Sequence, residues 1–152
     1  MSQGAWVLLA AVVLASAFGL LRALRDGRFR GTRRLRQAAP PATADQTAVL
    51  PLEGIDHAPG ERATLLQFSS AFCAPCRVTR RVLGEVASVV PGVAHIEVDA
   101  EQHLDVVRRL GIVRTPTTLV LDGSGREVSR ASGAPRKEEV LAALGKAVEA
   151  SA

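Results

Sequence analysis

Three hydrophobic rhythms follow one another along the chain. Residues 4–21, "GAWVLLAAVVLASAFGLL", form an unbroken apolar run of eighteen residues without a charge. As a helix this run is roughly 27 Å long, close to the hydrocarbon thickness of a bilayer. A helix buried in a soluble domain is rarely apolar on every side, so the run predicts a membrane span. Residues 37–48, "QAAPPATADQTA", have neither helical nor strand periodicity and read as a tether. Beyond them the pattern becomes that of a folded domain. Residues 63–70 are a short, mostly apolar run suited to a buried strand. Val78, Val82, Val86 and Val90 then recur every four positions with Leu83 and Val89 beside them, which predicts a helix, weakened but not broken by Gly84.

Residues 92–99 read as the next strand, and Leu104, Val106, Val107 and Leu110 mark a second helix closed by Gly111. "TTLVLD" and "REVSRA" flank Gly123, Ser124 and Gly125, a hairpin signal. Pro135 stands where a last helix can begin, with Val140, Leu141, Leu144 and Val148 on its apolar face. The order is strand, helix, strand, helix, strand, strand, helix. A βαβ unit has parallel strands and a short hairpin antiparallel ones, so the expected fold is α/β, a mixed sheet flanked by helices, preceded by a transmembrane helix. Three regions result: the span with its short leader at 1–21, an arginine-rich juxtamembrane stretch and tether at 22–48, and the folded domain at 49–152.

Charge refines the first of these. The chain carries a formal +4, but seven of its nineteen basic residues are Arg22, Arg25, Arg28, Arg30, Arg33, Arg34 and Arg36. From Glu61 onward, twelve basic residues stand against eleven acidic ones. The folded part thus lacks the basic, aromatic-studded face that nucleic acid requires, and no nucleic-acid partner is expected. Positive charge next to a span tends to stay cytoplasmic, and here all of it follows the span. The short amino terminus is therefore expected outside and the domain on the cytoplasmic face, with residues 4–21 in the membrane. A cleaved secretory signal is the competing reading, since Ala15, Ser16 and Ala17 resemble a cleavage site. The leader "MSQG" lacks a basic residue, however, and the apolar run continues past that site.

The only cysteines, Cys73 and Cys76, lie where the first strand of the domain passes into its first helix. Two residues three apart on a helix share a face, so the pair can approach closely enough for a disulfide. A helix amino terminus stabilises a thiolate, most of all at Cys73, which makes it the natural attacking sulfur. Cys76 would then resolve the mixed disulfide by attacking the Cys73 sulfur. Structural zinc normally takes four ligands, and His57, His95 and His103 do not supply the missing two at the usual spacing, so no metal is expected. Each histidine reads as structural or solvated.

With these pieces in place, the sequence resembles the thioredoxin family. The resemblance rests on "LLQFSSAFCAPCR", "IEVDAE", "LGIVRTPTTLVLDGSG" and "SGAPRKEEVLAAL", in the family's order, and covers residues 63–144. It implies a thioredoxin-like fold in which Cys73 attacks, Cys76 resolves, and Pro116 is a cis proline facing the pair. It implies further that Thr115 offers backbone groups to an extended substrate, and that Phe72, Ala74, Pro75 and Gly133 line the same groove. Three departures stand out: Phe72 and Ala74 replace residues common beside the first cysteine, and Arg81 replaces a proline that often kinks the helix. A fourth is chemically sharper. Gln67 occupies the position of the family's buried aspartate, and an amide cannot act as a general base at neutral pH.

The function expected on this basis is a membrane-tethered reductase of protein disulfides on the cytoplasmic face. No bound cofactor is expected, and with no dinucleotide fingerprint the electrons would come from an upstream protein donor. Two alternatives stay open: thiol–disulfide exchange outside the cytoplasm, and a low-turnover binding module.

Overall fold

The computed structural model describes residues 3–25, 28–31 and 58–149. The apolar amino-terminal run forms one helix, α1 (Gln3–Arg25). Its residues 4–22 are exposed throughout, with Val7 and Leu14 each 70% accessible. So much contiguous apolar surface is costly in water and calls for an apolar surrounding.

The domain is built on a five-stranded sheet in the order β1-β5-β4-β2-β3. Its strands are β1 (Arg30–Gly31), β2 (Ala63–Ser69), β3 (Val93–Asp99), β4 (Thr117–Asp122) and β5 (Glu127–Ser132). β2 pairs in parallel with β3, while the β2–β4, β4–β5 and β5–β1 pairs are antiparallel. The expected mixed sheet is present, and every predicted element appears within a few residues of its expected bounds. The helices are α2 (Ala74–Val89), α3 (Leu104–Arg109) and α4 (Lys137–Glu149). α2 runs without interruption through Gly84 and Arg81.

β1 is the one element that periodicity did not reveal. It comes from the arginine-rich stretch assigned to the juxtamembrane region, yet it closes one edge of the sheet, and Phe29 beside it packs on the core. The expected tether at 37–48, the domain start at 49, Arg33, Arg34, Arg36 and His57 lie outside the described residues.

Two apolar layers hold the sheet. Leu83 and Val86 of α2 and Val140, Ala143, Leu144 and Ala147 of α4 pack with Leu65 and Val120 on one face. On the other, Val106 and Ile112 pack with Leu66, Phe68, Ile96, Val98, Leu119 and Leu121. β2 lies between two strands and under both layers, and all seven of its residues are buried. Alternation along a strand explains the sorting: Leu65 and Gln67 point towards α2, Leu66 and Phe68 away from it.

The β4–β5 turn is closed by a carboxylate. Buried Asp122 accepts hydrogen bonds from Ser124 N at 2.9 Å, Ser124 Oγ at 2.6 Å, Arg126 N at 3.0 Å and Arg126 Nε at 3.2 Å. Gly125 supplies the positive φ of 80° that the turn requires. Burial pushes the Asp122 carboxyl up, but the bonds from Ser124 and Arg126 outweigh it and hold the group below the usual carboxylate range. A depressed folded pKa stabilises the protein above the unfolded value, and this is lost as pH falls through the folded one. Asp122→Ala is therefore expected to cost about 1–3 kcal/mol at neutral pH. Urea midpoints of the full chain in detergent should show that deficit narrowing below about pH 4; a deficit constant with pH would contradict the assignment.

Candidate functional site

The site forms where β2 ends and α2 begins. Ser69 closes the strand, three residues turn the chain, and Cys73 is the N-cap of α2 with Pro75 in the first turn. Proline suits that position because its missing N–H would have no helical partner there. Cys73 and Cys76 are joined as a disulfide, their Cα atoms 5.2 Å apart. The Cys76 N–H points at both the Cys73 carbonyl, at 3.1 Å, and the Cys73 sulfur, at 3.2 Å. A sulfur that already accepts from the helix start is the one whose thiolate that terminus favours. Cys73 is partly accessible and Cys76 only 2% exposed, so an incoming group meets Cys73 first.

The surroundings expected from the sequence are partly assembled here. The Thr115–Pro116 peptide is cis. Thr115 Oγ1 lies 3.1 Å from Ser70 Oγ, which ties the proline loop to the turn that carries the cysteines. Gly133, at φ 98°, donates its N–H to the Pro116 carbonyl at 2.7 Å and braces the loop from behind. Ala74 and Pro75 are exposed and Phe72 is 98% accessible, while Pro116 is buried. Val113, 90% accessible and three residues before Pro116, is a second exposed apolar residue that the sequence reading did not single out.

Gln67 is fully buried beneath this turn. Its Nε2 donates to the Cys76 carbonyl at 3.0 Å and to Glu97 Oε1 at 3.4 Å. Its Oε1 is therefore the atom facing His95 Nε2, at 3.2 Å, and the imidazole must donate from that nitrogen. His95 is thus structural, and burial holds its imidazole below the ordinary range against the pull of Glu97, with Arg80 adding to the depression. His103 occupies the N-cap position of α3 without a side-chain capping bond, its Nδ1 lying instead 3.0 Å from the Asp99 carbonyl.

Glu97 is paired to Arg80 of α2 through two contacts, at 2.5 and 2.8 Å. Burial pushes its carboxyl up, but Arg80 and Ser69 hydrogen bonds, with the Arg80 and His95 charges, outweigh this and hold it below its usual range. Beside the disulfide lies a cavity of about 360 Å³ whose walls include Cys73, Cys76, Arg77, Arg80, Glu97 and Asp99. Sequence reasoning missed the charged members of this group. A signal was present: Ile96 and Val98 take the apolar face of β3, and alternation turns Glu97 to the α2 side, opposite Gln67 in register.

Comparison with known proteins agrees with this geometry. Residues 55–146, more than half of the chain, match the thioredoxin family. A thioredoxin H-type of Fagopyrum esculentum is 35% identical over 77 residues, 51% of this chain and 65% of that protein, so less than two thirds of that relative is spanned. A thioredoxin of Alicyclobacillus acidocaldarius subsp. acidocaldarius is 30% identical over 86 residues, 56% of this chain and 81% of that protein. In fold, the chain superimposes on the Fasciola hepatica thioredoxin with a TM-score of 0.52 at 24% identity, over 58% of this chain and 83% of the other. With the strand-to-helix cysteine pair, the cis proline and the mixed sheet in agreement, the chain belongs to the thioredoxin family.

Proposed function

We propose that this protein is a membrane-tethered thiol–disulfide oxidoreductase that reduces protein disulfides through Cys73 and Cys76. The observation that carries the reading is the Cys73–Cys76 disulfide at the N-cap of α2, with Cys73 accessible and Cys76 shielded. In the reducing direction the Cys73 thiolate attacks a substrate disulfide and one substrate sulfur leaves. Cys76 then attacks Cys73, and the second substrate sulfur leaves as the internal disulfide closes. Two electrons pass from the protein dithiol to the substrate, and an upstream dithiol protein returns them. The exposed Phe72, Ala74 and Pro75, with Thr115, Pro116 and Gly133 across the loop, form the groove that receives the substrate chain, Thr115 presenting backbone groups to it.

The membrane part of the reading rests on α1, whose apolar residues are exposed along its length, and on the arginines that follow it. That charge favours the cytoplasmic side for the domain, where dithiols normally donate electrons. The anchoring is close. α1 ends at Arg25 and β1 starts at Arg30, so those two Cα atoms stand at most about 18 Å apart. A sheet edge held so near the span favours disulfides displayed close to the bilayer surface.

Two measurements test this. In detergent, with dithiothreitol as electron donor, Cys73→Ser is expected to lower reduction of a protein disulfide by more than about a hundredfold. Cys76→Ser should instead accumulate a mixed disulfide with substrate. Retained turnover in Cys73→Ser would overturn the reading, and a wild-type protein that binds substrate without turnover would point to a binding module. For sidedness, cells are treated with a permeant reductant and then an impermeant maleimide. The cytoplasmic assignment expects labelling of Cys73 only after permeabilisation, and labelling in intact cells reverses the topology.

A further inference from the structure

For Cys76 to resolve a mixed disulfide it must lose its proton, and the groups around it limit where that proton can go. The residue directly beneath it, Gln67, is an amide with its Nε2 committed to the Cys76 carbonyl and Glu97 and its Oε1 to His95. An amide takes no proton at neutral pH. Bulk water has little direct access, because Cys76 is 2% exposed. What it shares is the cavity of about 360 Å³, large enough for several waters, with Arg77, Arg80, Glu97 and Asp99. The two arginines hold no acceptor. The Asp99 carboxylate accepts from Glu101 N at 2.9 Å and Gln102 Nε2 at 3.1 Å in the turn after β3, whereas the Glu97 carboxylate is joined through the Gln67 amide to the residue that must lose the proton. His95 has its Nε2 committed to Gln67 and its Nδ1 towards Gly84, about two turns along α2 from Cys76.

Resting on the dithiol reading above, we propose that Glu97 is the proton acceptor for the Cys76 thiol, working through water in this cavity and replacing the carboxylate that position 67 lacks. The step balances simply. The Cys76 S–H proton passes through water to a Glu97 oxygen, and the Cys76 electron pair forms the bond to Cys73 Sγ. The bond between Cys73 and the substrate breaks, and its electron pair leaves on the substrate sulfur, which takes up a proton returned from Glu97. Gln67 is a positioning residue here: its amide links the Cys76 backbone at 3.0 Å to the Glu97 carboxylate at 3.4 Å. Arg80 is another. It fixes the carboxylate at the cavity wall and keeps it in the ionised form that can take a proton, while weakening it as a base. The groups facing Glu97 are Arg77 and Arg80 from α2, Gln67 and Ser69 from β2, and His95 and Asp99 from β3.

The test uses the reduced full chain in detergent with one equivalent of the chromogenic disulfide 5,5′-dithiobis(2-nitrobenzoate). The first thionitrobenzoate is released when Cys73 attacks and the second when Cys76 resolves, so the two sulfurs are read separately. Glu97→Gln is expected to slow the second phase roughly ten- to a hundredfold near pH 7 while leaving the first within about twofold. The deficit should shrink as the pH is raised and hydroxide takes the place of the carboxylate as base. Gln67→Glu, added to that variant, should restore much of the second phase by returning a carboxylate to the same network. As a second variant, Arg80→Gln alters a largely exposed side chain and leaves the acid in place; it should move the acid limb of the second phase to higher pH. A Glu97→Gln second phase at the wild-type rate, an equal unrescued slowing of both phases, or an unmoved acid limb in Arg80→Gln would each overturn the assignment. Wild-type protein that releases only one equivalent would overturn the dithiol reading itself.

Discussion

One hydrogen bond ties the central strand directly to the cysteine turn: the buried amide of Gln67 donates to the Cys76 carbonyl in the first turn of α2. β2 is held on both edges by β3 and β4 and on both faces by apolar layers, so its end is firmly placed. The helix that follows inherits that rigidity. Cys73 becomes the N-cap because β2 ends at Ser69, and Cys76 is buried because the next turn of α2 lies over the sheet. A buried polar bond of this kind is worth about 1 kcal/mol net but leaves a costly orphan if broken, which makes the junction specific as well as stable.

The same face of the sheet changes character along its length. Towards the start of β2 it is Ala63 and Leu65 packed under Leu83 and Val86; towards the end it is Gln67 and Ser69, with His95 and Glu97 beside them on β3. The apolar half carries the packing. The polar half is paid for by mutual hydrogen bonds and by the Arg80 ion pair, and it lies where the cysteines need a proton acceptor and a cavity. In the proposed mechanism the carboxylate that takes the proton is carried by β3, in register with Gln67 one strand over.

How much of this was legible in the sequence depended on how local the signal was. The cysteine pair, the helix start behind it and the hairpin are local patterns of a few residues, and each appeared where spacing placed it. The cis proline was legible only through the family resemblance, because nothing in "RTPTT" by itself specifies the isomer. β1 was not legible: two residues carry no alternation, and the strand exists only because β5 offers an edge. Gln67 could be recognised as a departure, but its consequences could not, since its partners sit about thirty residues on in β3 and meet it only through the parallel register. Alternation alone turns Glu97 to the α2 side, and only the register sets it opposite Gln67.

In the proposed function, Cys73 and Cys76 form one reversible redox couple poised by the fold. The most direct measurement is an equilibrium redox titration of the full chain in detergent, with thiol–disulfide buffers of graded ratio and a mass-tagged maleimide to count free thiols. Both thiols are expected to appear together in one two-electron transition while the protein remains folded. Thiols that appear separately, or a disulfide that opens only when the domain unfolds, would contradict the proposed function and leave the bond a structural staple.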